Sequence, residues 1–262
     1  MVTHAPDIST EQPPEGSPGP NPEVVRLVMA GKILEARALS AALGASRLEL
    51  RQVNLSGLRH MPAGMNLEGA DLRGANLCGA RLRRAKLAGA DLSGANLSSA
   101  MLPGADLSGC ILVGAKLNFA ELMSAKLTRA SAAGSDFSGA ELYDAELDFV
   151  DLSDSILVDI RADRSTWRQA RLQGADLTGA RLRWAQMQEA DLQAANLKGA
   201  VLMEAHLQGV LAQGANIDRA DMQLVEADWS WAGEDREVQG VPLGYRLVRS
   251  PFAANRSRLS PV

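Results

Sequence analysis

A chain of 262 residues with a formal charge of −4 has room for one or two domains and a sizeable core, and it lacks the strongly basic balance of a chain held to nucleic acid by bulk charge. Hydrophobic residues make up 46% of it but aromatic residues only 4%, so the core has to be built from Leu and Ala rather than from rings. No early apolar run follows basic residues and no stretch of about 18 uninterrupted apolar residues occurs, which points away from a signal peptide or membrane span.

Residues 1–21 hold Pro6, Pro13, Pro14, Pro18 and Pro20 with few apolar side chains, a composition expected to stay disordered. Asn21-Pro22-Glu23 then reads as a helix start, with a capping amide, proline at the first helical position and an acid in the first turn. Residues 22–46 are expected to form one or two short helices, interrupted at Gly31 and ended by Gly44. Their expected job is to cover an open hydrophobic end of whatever follows; binding a partner is the alternative. From 48 to 64, Leu50 and Leu55 begin a five-residue pattern, and a two-residue shift near His60-Met61-Pro62 calls for a bend or small loop.

From Leu67 to Met222 the pattern runs through 32 positions without a slip, and 24 of them are Leu, among them Leu72, Leu77 and Leu102. Two places earlier, 24 of 32 are Ala. The unit is A-(D/N)-L-x-x, often with Gly last. Five residues turn a helix about 140° from the starting face, so the leucines would make no stripe. In a strand the next Ala, three residues on, would flip to the other side. Ala and Leu stay on one side only if the chain turns a corner in every unit, which is a solenoid with both pointing inward. Gly in the last place suits the corner.

These A(D/N)LxG units resemble the pentapeptide-repeat family. The resemblance implies an all-β solenoid: a right-handed, four-sided parallel β-helix with four units, or 20 residues, per coil. The 32 positions then make about eight coils. Two features of the sequence support the step of 20. Asn before the Leu occurs at Asn66, Asn76, Asn96, Asn196 and Asn216, four of them on one 20-residue lattice, where stacked amides can form a ladder. Departures from Leu also come as small and large neighbours, Ala132 with Phe137, Ala162 with Trp167 and Ala212 with Ile217, as a narrow interior of fixed volume demands. Phe137 and Trp167 are therefore assigned to the core with the leucines. Cys110 stands at an Ala position and is expected to be buried, whereas Cys78 is expected to be exposed. Two cysteines on opposite sides of the backbone make no disulfide framework, and a reduced, cytoplasmic setting is the simpler reading.

The pattern ends at about Trp229, giving a β-helix over 47–229 and a C-terminal cap and tail over 230–262. Trp229 and Trp231 are placed to plug the last coil, residues 238–250 have the make-up of a short hairpin, and the last ten look loose.

Nothing in the chain carries recognisable chemistry. His4, His60 and His206 lie far apart, the aspartates belong to the repeat, the glycines mark corners rather than a phosphate loop, and no metal-ligand spacing occurs. No enzyme, cofactor or metal is expected, which leaves binding by a patterned rod. Charge is banded along it. Residues 65–130 carry a net +3, including Arg81, Arg83, Arg84 and Lys86. Residues 136–163 set Asp136, Glu141, Asp144, Glu146, Asp148, Asp151, Asp154, Asp159 and Asp163 against Arg161 alone, a net −8, and residues 164–198 return to +3.

The resemblance implies a specific role. The best-understood pentapeptide-repeat proteins resemble a DNA duplex in width and negative charge and occupy the DNA-binding saddle of bacterial type II topoisomerases, chiefly gyrase, protecting it from quinolones or related toxins. DNA gyrase or topoisomerase IV is then the expected protein partner, the acidic girdle the candidate contact and a homodimer the possible assembly. Three departures stand against it: the net charge is modest, the girdle touches all four sides, and no dimerising C-terminal helix is evident. The alternative is a scaffold in a secretion or signalling complex. Direct nucleic-acid binding through Arg81–Lys86 is weaker, lacking aromatic interleaving and a basic total charge.

Overall fold

The computed structural model describes residues 19–56, 58, 63–227, 245–249 and 257–261. Its centre is a four-sided coil. Parallel bridges join Asn66 to Lys86, Lys86 to Asp106 and so on to Val201 and Asp221, always 20 residues apart. Each unit adds two kinds of hydrogen bond. Along the axis, Leu72 N–H donates to the Asp91 carbonyl at 2.7 Å and Gly74 N–H to the Ser93 carbonyl at 2.9 Å. Around the coil, Ala75 N–H returns to the Leu72 carbonyl at 3.0 Å and closes a turn.

The turn needs its third residue in the left-handed region, and from Gly69 to Leu224 that residue has φ between +54° and +75° whether or not it is glycine. A side chain there leans up onto the next coil. The Phe119 ring rests on Gly139, where an added Cβ would come within 2.7 Å of it, so a side chain at Gly139 would have to displace the ring.

Leu72, Leu77, Leu102, Phe137, Trp167 and Cys110 are all fully buried, as their inward positions require. The small and large pairs sit on adjoining sides of one coil and are buried together. Trp167 brings a polar group with it: its indole Nε1 donates to Ser165 Oγ at 2.6 Å, and that hydroxyl donates on to the Ala162 carbonyl. The Cys110 thiol donates to the Leu87 carbonyl at 2.9 Å, and burial pushes its pKa up to about 12, so it is packing material rather than a reactive thiol. Cys78 is half-buried, less exposed than its position implied, with its N–H held by the Asn76 side chain.

Helices α1 (Pro22–Met29) and α2 (Ile33–Ala42) precede the coil. Asn21 Oδ1 caps α1 by accepting from Glu23 N–H at 2.9 Å. Gly31 and Gly44, at φ +75° and +86°, follow the two helices in turn. Val24, Val28, Ile33 and Ala36 join the same hydrophobic core as Leu48 and Leu50, and Arg37 reaches the Glu68 carbonyl at 2.7 Å.

The early coil pairs Glu49 with Asp71 and Asn54 with Asn76, a step of 22, so two extra residues enter between Leu55 and Met65. The bend placed at 60–62 lies outside the described residues, as do nearly all of segment 1–21, Trp229 and Trp231. At the far end, β1 (Glu226–Ala227), β2 (Tyr245–Arg249) and β3 (Ser257–Pro261) form an antiparallel sheet in the order β1-β3-β2. Among the last ten residues the described part is not loose: Ser257–Pro261 is the central strand, and the strand expected in a local hairpin pairs with it instead.

Candidate functional site

Four sides follow from the 20-residue step. Face 1 carries the inward ladder Leu67, Leu87 onward, face 2 Leu72, Leu92 onward, face 3 Leu77, Leu97 onward and face 4 Leu82, Leu102 onward. The nine acids of the girdle divide among them in a way that linear charge counting does not show. On faces 4 and 1 they meet arginines one coil on. Glu141 pairs with Arg161 at 3.2 Å, Asp144 takes both ends of the Arg164 guanidinium at 2.8 and 2.7 Å, and Asp148 accepts from Arg168 N–H at 2.9 Å. Asp163 accepts from Arg183 N–H at 3.0 Å and faces Arg181 at 3.1 Å. The Arg164 hydrogen bond holds the Asp144 carboxyl below its usual range. The acidic band and the basic band after it therefore largely cancel on these faces.

Faces 2 and 3 differ. Asp136, Asp154 and Asp159 have no ion pair among the described residues, and Asp151 is paired with Arg171 at 3.4 Å. In the coils spanning residues 131–196 they are joined by Asp176 and Asp191, and Arg171 is the one base on these two faces. The aspartates are also aimed. Asp136, Asp151, Asp176 and Asp191 each accept through Oδ1 from the backbone N–H two residues on, at 2.9 to 3.1 Å. Ser138, Ser153 and Thr178 hydroxyls bind the same oxygens of the first three. Asp154 and Asp159 lean over Gly174 and Gly179, where any Cβ would overlap their carboxylates. The girdle is thus an acidic two-faced surface with neutralised flanks. Glu146, on face 1, stands outside it and has no ion pair among the described residues.

One acid that the repeat hid stands apart. Asp71 is fully buried where the early coil meets the regular ones, gripped by Arg47, Arg51 and Arg73. Burial pushes its pKa up, but hydrogen bonds from Arg73 and Arg51, the Arg73 N–H and the nearby Arg47 charge outweigh that and bring it to about 2. It is structural. Arg81, Arg83 and Arg84 lie exposed on face 4 and Lys86 beyond its corner on face 1. Among the described residues no group of three or more His, Cys, Asp or Glu is placed to hold a metal, and no helix is long and apolar enough to cross a membrane.

The model of pentapeptide repeats matches eight copies over residues 64–98, 90–129, 120–159, 155–193 and 185–223. The chain belongs to the pentapeptide-repeat family. With the family comes the right-handed β-helix. Among solved structures it is similar to a trypsin-treated form of QnrB1, a plasmid-mediated fluoroquinolone resistance protein, with TM-score 0.61 and 21% identity over 68% of this chain and 89% of that one. Full-length QnrB1 gives 0.55 and 20% over 68% and 91%. HetL, a pentapeptide repeat protein involved in heterocyst differentiation regulation from the cyanobacterium Nostoc, is 29% identical over 74% and 95%, with a TM-score of 0.31. No curated protein matches the sequence.

Proposed function

We propose that this is a non-catalytic, cytoplasmic protein-binding rod that imitates a DNA duplex toward a bacterial type II topoisomerase, gyrase or topoisomerase IV, and so guards it from a quinolone or similar toxin. The observation that carries this is the array on faces 2 and 3: Asp136, Asp151, Asp154, Asp159, Asp176 and Asp191 on a rod whose hydrogen-bond ladder keeps one step from Asn66 to Asp221. Rungs follow one another at about 4.8 Å, so Asp151 and Asp191 on face 2, and Asp136 and Asp176 on face 3, stand two rungs or about 10 Å apart, with Asp154 and Asp159 at the corners on either side of face 3, and together they make an extended line of fixed negative charge. In this reading α1 and α2 close the first coil's open end, which would otherwise offer unpaired backbone to other chains. A scaffold in a larger complex is the second reading, favoured by two exposed aromatic rings: Trp184, 45% exposed on the corner between faces 4 and 1, and Phe119, 64% exposed below Asp159 on the corner between faces 3 and 4.

The test is a gyrase supercoiling assay with and without a quinolone. At micromolar protein we expect inhibition or protection. Asp136→Asn, Asp154→Asn and Asp159→Asn together should abolish it, while Asp144→Asn with Asp148→Asn should leave it intact. Absence of both inhibition and protection at that concentration removes the topoisomerase reading.

A further inference from the structure

At the middle of the acidic array sits a side chain that no imitation of phosphate requires. The outward rung of face 3 runs Lys116, Asp136, Ile156, Asp176, Asn196. Ile156 is 46% exposed, and Val158 is half-buried two residues on. The rungs below and above it do not cover it. Asp136 and Asp176 are each tied along their own strand, to Ser138 and to Thr178, through both N–H and hydroxyl. The carboxylates of Asp154 and Asp159 stand at the two adjoining corners. The repeat does not impose an aliphatic residue there, for Ser131 and Thr166 fill the same place in other units.

We propose that Ile156 with Val158 is the apolar anchor of a docking surface for a basic amphipathic protein segment, one that presents an apolar side chain flanked by Lys or Arg. The inference rests on the acidic array being the contact face and adds the class of partner. Exposed ion pairs contribute little to affinity by themselves and weaken with salt. Affinity concentrates instead in a desolvated centre, while charges at its rim steer and orient the encounter. Four carboxylates around an aliphatic patch match the stem and head of a Lys or Arg as well as the apolar residue beside it. A duplex imitated for its charge alone would carry a polar residue at this rung.

The probes are two synthetic helical peptides of equal charge and length, one with Lys and Leu on opposite faces and one with each Leu replaced by Gln. Binding to the full chain is read by fluorescence anisotropy at about 0.15 M salt. The Lys/Leu peptide should bind at least about tenfold more tightly. Ile156→Ser should erase that preference with no change in thermal melting, whereas Asp136→Asn should weaken both peptides alike. Equal affinities for the two peptides, or a preference that survives Ile156→Ser, overturns the proposal. Gyrase itself, run in parallel, separates the two readings. If it fails to bind while the peptides are discriminated, the topoisomerase reading falls and the docking surface stands. If it binds wild type and Ile156→Ser equally, the docking surface falls and the topoisomerase reading stands.

Discussion

The coil of residues 87–106 and the coil of residues 147–166 share one backbone plan and differ at every corner. In the first, Ala90, Ala95, Ala100 and Ala105 close their turns at 2.9 to 3.0 Å. In the second, Val150, Ser155, Ile160 and Ser165 close theirs at 3.3 to 3.4 Å. The corner residue is not the cause. Ser135 and Val210 also close at 3.3 Å beside Gly134 and Gly209, while Ala130 closes at 2.9 Å beside Arg129. The inward residue decides. Val and Ile push the corner outward by bulk, and Ser gives its hydroxyl to the same carbonyl that the backbone N–H uses, as Ser135, Ser155 and Ser165 all do. Alanine is thus preferred for the tightness of the turn it allows, and the coil at the heart of the acidic band has relaxed that rule at all four corners.

The largest break in the comparison comes from the side chain stacked on the relaxed coil, Trp167, which follows its last corner and lies one rung above Leu147 on face 1. Trp167 is fully buried and spends its indole N–H on Ser165. Trp167→Ala removes that volume from a tube whose backbone cannot collapse inward, and should cost about 3–5 kcal/mol in urea unfolding. Leu87→Ala on the same face of the tight coil should cost about 2–5 kcal/mol. A loss under about 1 kcal/mol for Trp167→Ala would mean that the coils on either side adapt their shape, which their unbroken inter-coil bonds argue against.

A smaller effect separates the charged contacts at the rod's entrance from those at its middle. Asp71 and Asp144 are both held by arginine, but Asp71 is fully buried and the Asp144 side chain is 46% exposed. The folded pKa of Asp71 is about 2, below the ordinary aspartate value of about 3.8, so its stabilisation is complete above the unfolded value and is lost as pH falls from about 4 to about 2. That difference corresponds to about 2 kcal/mol. Urea unfolding at pH 5 and at pH 2.5 should therefore show a stability gap between wild type and Asp71→Asn that narrows by about this amount in acid. For Asp144→Asn the gap should stay below about 1 kcal/mol and shrink in high salt. Equal behaviour of the two variants would show that burial at the entrance adds nothing.

The architecture was legible because the inward residues repeat every five and the compensating pairs, Ala162 with Trp167 above all, betray a shared interior. The ion pairs of faces 4 and 1 were legible too, but only on the 20-residue lattice. Glu141 with Arg161, Asp144 with Arg164 and Asp148 with Arg168 are each 20 apart, so counting charge along the chain made a girdle of what the coil divides into more and less neutralised faces. Asp71 was not legible. Its burial follows from the two-residue insertion that shifts the early coil against the next, and nothing local distinguishes it from other aspartates of the repeat. The pairing of β3 with both β1 and β2 was hidden for the same kind of reason, since residues 257–261 carry no alternation that names a distant partner.

The finest test moves one feature of the relaxed coil into the tight one. Ala95→Ser places a buried hydroxyl where none exists, and an unsatisfied one costs about 1–3 kcal/mol. The three native serines predict otherwise, because each gives its proton to the carbonyl three residues back, at the price of a turn bond lengthened by a few tenths of an ångström. Ala95→Ser should therefore cost less than about 1 kcal/mol in urea unfolding. Ala95→Val, which opens the corner by bulk and has no bond to give in return, should cost about 1–3 kcal/mol. If serine proves as costly as valine, the carbonyl of Leu92 is out of the hydroxyl's reach in a tight coil, and the relaxed corners of residues 147–166 are a property of that coil as a whole rather than of each inward residue.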